Sequence, residues 1–189
     1  KFISRGLKPL FMLEVPQPPL SIRLLTPHDA PTYCALRLRA LMDHPEAFTS
    51  SAEEEAGKPL SWSKDRVKAD ANKPHDFFLG AFLDDNLVGM VGLQGRYRPK
   101  ERHNATVVGM FVAPEAGGRG LGLALMRDLL VRAQALPGLE QLDLTVTDGN
   151  NTAQRLYERC GFKVFGVLPR AIRVGGRYYA KVHMVLALR

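Results

Sequence analysis

The stretch that decides the fold runs from Val112 to Arg127 and reads VAPEAGGRGLGLALMR. An apolar run, residues 107–112, leads into it, and leucines at helical spacing follow its four glycines. A strand, a glycine turn and a helix in this order bring unpaired amide N–H groups together with the positive end of a helix dipole. The stretch predicts an anion site, with an ordinary strand-to-helix turn as the simpler alternative.

Two common phosphate-binding motifs do not fit this stretch. A Walker P-loop needs Gly-Lys-Ser or Gly-Lys-Thr after the glycines, and neither follows. The dinucleotide motif needs a third glycine where Leu123 stands, and a preceding βαβ unit with an acidic residue for the ribose. The anion is therefore expected to belong to a different class of ligand.

A second informative segment covers residues 142–162, LDLTVTDGNNTAQRLYERCGF. Its first residues alternate between apolar and polar, which predicts a strand. Asp148 or Asn150 can cap the helix that follows. Along that helix Asn150, Ala153 and Tyr157 are spaced i, i+3 and i+7, so they share one face. Taken alone, this face favours an amphipathic helix with a buried core tyrosine.

Together the two segments resemble the GCN5-related N-acetyltransferase (GNAT) superfamily. Gly120 and Gly122 match the glycines of the family's pyrophosphate loop, Arg/Gln-x-x-Gly-x-Gly/Ala, while Gly117 stands where the family usually has arginine or glutamine. The second family motif, Asn-x-x-Ala-x-x-Leu-Tyr-x-x-x-Gly-Phe, matches at every marked position. The matching residues are Asn150, Ala153, Leu156, Tyr157, Gly161 and Phe162.

The resemblance covers residues 21–189 and implies one domain with the α/β GNAT acyl-CoA N-acyltransferase fold. In that fold a mixed, mostly antiparallel sheet carries helices on both faces. Residues 50–57 are expected to be acidic and exposed, and residues 169–176 to form a loop. The predicted strands are 21–25, 77–83, 87–93, 104–112, 142–146, 163–168 and 178–188, and the predicted helices are 27–42, 61–71, 120–136 and 150–160.

The resemblance also implies acetyl-CoA as the cofactor. Backbone groups of residues 110–112 would face the pantetheine arm of coenzyme A, in a slot left where this strand splays from strand 142–146. Amides of the glycine loop would hold the pyrophosphate. The predicted cofactor-binding residues are Met110, Phe111, Val112, Gly117, Gly118, Arg119, Gly120, Leu121, Gly122, Leu123, Asn150, Ala153 and Tyr157.

Tyr157 is the predicted catalytic residue. A phenol can donate a hydrogen bond or a proton to the thiolate that leaves when the thioester is cleaved; core packing is the alternative role. The general base stays unassigned. Thr145 stands where relatives that acetylate ribosomal-protein N-termini often carry glutamate, and His103 and His183 are more simply explained as structural histidines.

The acceptor is predicted from the last hairpin, which the family places beside the acceptor mouth. Arg173 and Arg177 bracket the turn Gly175-Gly176, and guanidinium groups suit a carboxylate by bidentate pairing. These two arginines are the predicted substrate-binding residues, and the expected acceptor is a free amino acid or another small carboxylated amine. The alternatives are a protein or peptide N-terminus, and a catalytically silent acyl-CoA-binding module.

The composition fits one globular domain, with 189 residues, 46% of them hydrophobic and 24% charged. No apolar run approaches the ~20 residues needed to span a bilayer, so no membrane partner is expected. Cys34 and Cys160 fit no metal spacing, which predicts reduced thiols, a cytoplasmic location and no metal.

The net charge of +7 calls for an anionic partner. The basic residues are scattered and no nucleic-acid module is recognisable, so coenzyme A is a sufficient anion and no nucleic acid is expected. The other partner is a small-molecule amine, and the chain is expected to be a monomer or a homodimer. Residues 1–20, with the proline-rich spacer Val15–Pro19, are predicted to be a tail or the remnant of a tag.

Overall fold

The computed structural model describes residues 20–188. The predicted tail, residues 1–20, lies outside this range except for its last residue. Within the range, seven strands form one sheet and five α-helices cover it. The strands are β1 (Leu20–Leu24), β2 (Phe77–Leu83), β3 (Asn86–Gly95), β4 (Asn104–Val112), β5 (Gln141–Thr147), β6 (Lys163–Val174) and β7 (Arg177–Ala187). The helices are α1 (Ala30–Asp43), α2 (Ala52–Ala56), α3 (Leu60–Val67), α4 (Leu121–Ala135) and α5 (Asn151–Arg159), with short 3₁₀ turns at Pro27–Asp29 and Pro114–Ala116.

The strand order in the sheet is β1-β2-β3-β4-β5-β7-β6. Neighbouring strands are antiparallel except β4 and β5, which run parallel. The mixed, mostly antiparallel sheet predicted from the sequence is therefore confirmed. Within residues 20–188, no helix combines the length and the apolar character that a bilayer crossing requires.

Helices lie on both faces of the sheet because strand side chains alternate between its faces. In β2, Leu79 and Ala81 belong to a core that includes the buried face of α4. Phe78 and Phe82, which point the other way, belong to a second core with α1 and α3. The sheet is thus buried on both sides, as the predicted fold requires.

The parallel contact between β4 and β5 is short. It consists of three registered pairs, from Asn104–Gln141 to Thr106–Asp143, and no later residue of β4 pairs with β5 in the described chain. Three residues further on, Gly109 has a φ of +65°, next to a shift in the β3–β4 register. Such a bulge bends a strand and increases its twist. β4 and β5 therefore separate and leave a slot between them.

The exposed acidic segment predicted at residues 50–57 is exposed at most of its residues, but the prediction is wrong for Glu55, which is buried. Residues 52–56 form α2, because the Ser51 hydroxyl caps it by accepting a hydrogen bond from the Glu54 amide at 3.1 Å. The side chain of Glu55 is 5% exposed, since it faces Arg37 of α1. The sequence shows the acidic residues, but it does not show that the buried Arg37 pairs with one of them, Glu55.

The loop predicted at residues 169–176 is also wrong in extent. β6 continues to Val174 and pairs with β7 on both sides of an irregularity between Leu168 and Ile172. Arg170, inside this irregularity, has a φ of 52°. A bulge absorbs the extra residues without ending the strand, and the sequence pattern of period two is lost there.

We expect Gly109→Ala to lower the free energy of unfolding by about 1–2 kcal/mol, because an L-residue is strained in the left-handed region. The added Cβ would also lie 3.3 Å from Cε1 of Phe78. The control is Gly166→Ala, where φ is not positive and a Cβ meets nothing within 4 Å; we expect a change within about 0.5 kcal/mol. Urea unfolding measures both. Equal losses in the two variants would contradict the assignment of the bulge to Gly109.

Candidate functional site

A groove of about 1160 Å³ begins where β4 and β5 separate. One wall is β4 with the glycine loop that follows it, and the other is β5 with α5. Side chains from α1, from α3 and from the segment 44–50 complete the lining. One continuous space therefore joins the two sequence motifs to a third region that neither motif includes.

The glycine loop forms an anion site at one end of the groove. Gly118 and Gly120 both have a φ of +73°, and Gly120 is the N-cap of α4. In the described chain the backbone amides of residues 118–123 donate to no backbone carbonyl. The next amide along the chain, that of Ala124, donates to the carbonyl of Gly120 at 3.0 Å. Six amides at the positive end of a 15-residue helix are thus free to bind an anion.

The glycines of this loop have different physical roles. A Cβ on Gly120 would meet nothing within 4 Å, so glycine is required there by the backbone conformation and not by space. A Cβ on Gly122 would lie 3.3 Å from Cδ2 of Leu156 and 3.5 Å from Cε of Met110. Gly122 therefore lets the first turn of α4 approach α5 and β4 closely.

Helix α5 brings Asn150, Ala153 and Tyr157 to the groove, as their spacing predicted. The Oδ1 atom of Asn150 accepts a hydrogen bond from the Ala153 amide at 3.1 Å, so this side chain caps the helix and faces the groove at the same time. The cap fixes the start of α5 and hence the direction in which its Tyr157 points.

Tyr157 is 7% exposed and packs edge-on against Phe162, with ring centroids 6.2 Å apart. Its hydroxyl makes no hydrogen bond to any residue between 20 and 188, although the side chain lines the groove. Burial raises the pKa of the Tyr157 phenol above its usual value. The phenol is therefore protonated at neutral pH and free to donate to a ligand.

The structure brings together nearly all the predicted cofactor-binding residues. Every one of them lines the groove except Arg119, which is exposed beside it. Arg173 and Arg177, predicted to bind substrate, do not line the groove. Both are exposed, and their guanidinium groups lie over Tyr178 and Tyr179, at 5.6 and 5.2 Å from the ring centroids.

Lys181 is a groove residue that the sequence analysis missed. Its Nζ donates to the carbonyls of Glu46 and Ala47, at 3.1 and 2.8 Å, and to Oγ1 of Thr147 at 2.8 Å. Burial lowers the pKa of this ammonium group to about 8. The bonds tie the segment 44–50 to the end of β5 and to the middle of β7. A single lysine in an otherwise ordinary strand gave no sequence signal.

Arg37 and Arg66 are two further groove residues that the sequence analysis missed. Arg37 lies one helical turn after the buried Tyr33, so it falls on the apolar face of α1. A charged residue on such a face was the signal that could have identified it. Arg39, two residues further along α1, is by contrast only partly buried and pairs with Glu115 at 2.6 Å.

The lining of the groove is positively charged. Among the described residues it includes Arg37, Arg66, Arg155, Arg159 and Lys181, but no Asp or Glu side chain. Of the described histidines His44 lines it, whereas His103 and His183 do not. Within residues 20–188, no three His, Cys, Asp or Glu side chains converge as a metal site would need. The groove is suited to an anionic ligand.

The chain matches the model of the acetyltransferase (GNAT) family over residues 38–162. It is 33% identical to mycothiol acetyltransferase of Salinispora arenicola over 154 residues, which are 78% of this chain and 47% of that protein. It is 24% identical to the L-amino acid N-acetyltransferase AaaT of Escherichia coli over 147 residues, 78% of this chain and 88% of that protein. This chain spans about half the length of the mycothiol acetyltransferases that it matches.

Its fold is similar to that of Salmonella typhimurium yncA, solved with its cofactor acetyl-CoA. The TM-score is 0.74 at 20% identity, over 90% of this chain and 95% of that chain.

We expect Gly120→Glu to weaken acetyl-CoA binding by about 100-fold or more, because a carboxylate would stand among the amides that hold the anion. Gly138→Glu is the matched control: Gly138 also has a positive φ, +74°, and open space around its Cβ, but it does not line the groove. Isothermal titration measures both affinities, and circular dichroism checks folding. Equal affinities in the two variants would place the anion elsewhere.

Proposed function

The chain belongs to the acetyltransferase (GNAT) family, whose acetyl donor is acetyl-CoA, and we propose that it acetylates the primary amine of a free amino acid or another small carboxylated amine. The observation that carries this proposal is the continuity of one groove from the free amides of the glycine loop to the protonated phenol of Tyr157. A phosphate-bearing donor bound at the loop would extend its acyl end along β4, past this phenol.

The charge of the groove supports a carboxylated acceptor. A lining with five cationic side chains and no described carboxylate repels polyamines and lysine side chains that carry extra positive charge. An amino acid brings its own negative charge, and its α-amine reaches the neutral, nucleophilic form at lower pH than a lysine amine does. The Escherichia coli relative, an L-amino acid N-acetyltransferase, supports the same class of acceptor.

In the proposed reaction the protein contributes mainly by positioning the amine against the thioester, and less by activating either group chemically. The neutral amine attacks the thioester carbonyl carbon, a C–N bond forms, and the C–S bond then breaks. Where β4 separates from β5, backbone N–H groups of β4 lose their strand partner and can donate to the oxyanion. Tyr157 donates its phenolic proton to the leaving sulfur, and the proton that the amine loses passes to water and restores the phenol.

The proposal also covers the cellular location of the protein and the extent of its domain. Cys34 and Cys160 are free thiols, which fits a reducing cytoplasm. We propose one acetyltransferase domain over residues 21–189 that acts on a small molecule and not on nucleic acid. A protein or peptide N-terminus is the alternative acceptor, and a silent acyl-CoA-binding module is the alternative that lacks turnover.

We expect kcat/KM for free amino acids to be about tenfold or more above kcat/KM for short peptides, polyamines and aminoglycosides. Peptides lack a carboxylate next to the α-amine, and polyamines and aminoglycosides carry further positive charge. Release of the CoA thiol, followed with a thiol reagent, measures turnover across the panel. Activity confined to peptides or to lysine side chains would overturn the proposed acceptor. Binding of acetyl-CoA without turnover of any amine would favour the silent module.

We expect Tyr157→Phe to lower kcat by about 100-fold while the affinity for acetyl-CoA changes by less than about threefold, because only the leaving thiolate loses a partner. Steady-state kinetics and titration of acetyl-CoA separate the two effects. Tyr178→Phe is the control, since Tyr178 is exposed and lies outside the groove. An unchanged kcat in Tyr157→Phe would reduce Tyr157 to a packing residue.

A further inference from the structure

α1 and α3 pack on the face of the sheet opposite to α4, whose first turn carries the free amides of the glycine loop. Arg37 of α1 and Arg66 of α3 both line the groove, and Arg37 is the more deeply buried of the two. The residue is 6% exposed, yet its Nε and Nη1 atoms have no hydrogen-bond partner among the described residues. Buried guanidinium donors without partners are rare, and they indicate a missing acceptor group.

The carboxylate facing Arg37 does not satisfy it. Glu55 Oε1 lies 3.5 Å from Arg37 Nη2 and is shared with Lys58, whose Nζ is 3.8 Å away. A further cation, Arg66, lines the same part of the groove, and its Nε donates to the hydroxyl of Tyr33 at 2.9 Å. Arg66 forms no ion pair with a described residue. The surroundings of Arg37 therefore hold more positive than negative charge.

We propose that Arg37, with Arg66 beside it, binds the carboxylate of the acceptor amine. The inference rests on the proposed function and names the residues that select its acceptor. The two in-plane edges of a guanidinium that can pair with a carboxylate are Nε with Nη2 and Nη1 with Nη2, and in Arg37 each edge includes one of the partnerless donors. The Phe48 ring lies over the guanidinium, 4.6 Å from Cζ. Holding one end of the acceptor here leaves its amine to point along the groove.

The position of Arg37 distinguishes it from the arginines of the last hairpin. Arg173 and Arg177 are exposed, lie over tyrosine rings and do not line the groove. A solvated guanidinium gains little from a carboxylate, whereas a buried one without partners gains much. The acceptor site is therefore formed by α1 and α3, on the face of the sheet opposite to α4.

The test compares amino acids with the amines that lack their carboxyl group: leucine with 3-methylbutylamine, phenylalanine with 2-phenylethylamine, and methionine with 3-(methylthio)propylamine. Each is titrated into the protein saturated with CoA, so that binding is measured without turnover, and kcat/KM is then measured with acetyl-CoA. We expect the wild type to prefer the amino acids by about 100-fold, and Arg37→Gln to lose that preference while its affinity for the amines changes by less than about threefold.

Arg39→Gln is the matched control, because Arg39 lies on the same helix, has a side chain that is 40% exposed and does not line the groove. Arg37→Gln could unfold the protein by leaving Glu55 buried without a partner. In that case the double variant Arg37→Gln/Glu55→Gln removes both charges together. Arg66→Gln tests the second guanidinium separately. CoA affinity reports folding in each variant.

Equal affinity of the wild type for amino acids and amines would overturn the inference, as would an amino-acid preference that survives Arg37→Gln. Loss of affinity for both members of each pair would show that Arg37 is structural and would also overturn it. Amino acids that bind through Arg37 but are not acetylated would support this site and contradict the proposed function.

Discussion

The separation of β4 from β5 is the constraint on which the rest of the structure depends. Three registered pairs hold the two strands together at their start, and the last pair is fixed by the side chain of Asp143, which bonds Thr106 Oγ1 at 2.8 Å and also Arg96. Beyond it, the bulge at Gly109 bends β4 away. If β4 and β5 stayed paired along their whole length, the backbone N–H and C=O groups of β4 would be hydrogen-bonded within the sheet, and no slot would remain. The groove exists because those groups are left without strand partners.

The free amides of the glycine loop and the cations Arg37 and Arg66 belong to different elements around this groove. The glycine loop presents amides because its conformation, with φ of +73° at Gly118 and Gly120, leaves them without backbone acceptors. Arg37 and Arg66 are contributed by α1 and α3, which pack on the opposite face of the sheet from α4. A phosphate-bearing donor and a carboxylated acceptor can therefore be held by separate groups, with the phenol of Tyr157 as a proton donor in the same space.

Burial accounts for the electrostatic character of the site. It raises the pKa of Tyr157, which keeps the phenol protonated, and it lowers the pKa of Lys181, which nonetheless donates to two carbonyls and a hydroxyl. The same burial makes the two partnerless nitrogen atoms of Arg37 costly in the absence of a ligand. Lys181 stabilises the fold through its partners, whereas Arg37 retains capacity for binding.

The sequence by itself determined the features that depend on local chemistry. The glycines at 118 and 120 predicted the turn, the spacing of Asn150, Ala153 and Tyr157 predicted their shared face, and alternating side chains predicted the sheet, because backbone conformation and helical or strand periodicity are properties of short segments. For the same reason the sequence failed where distant segments meet. The burial of Glu55 depends on Arg37, eighteen positions earlier, and the strand continuity through Arg170 depends on its pairing with β7. Only the tertiary structure decided which arginines face the groove. The sequence pointed to Arg173 and Arg177 by their turn, whereas the packing of α1 and α3 on the sheet buried Arg37 and brought Arg66 beside it. Which cations lose their water depends on how these layers pack, and no short segment of the chain encodes that.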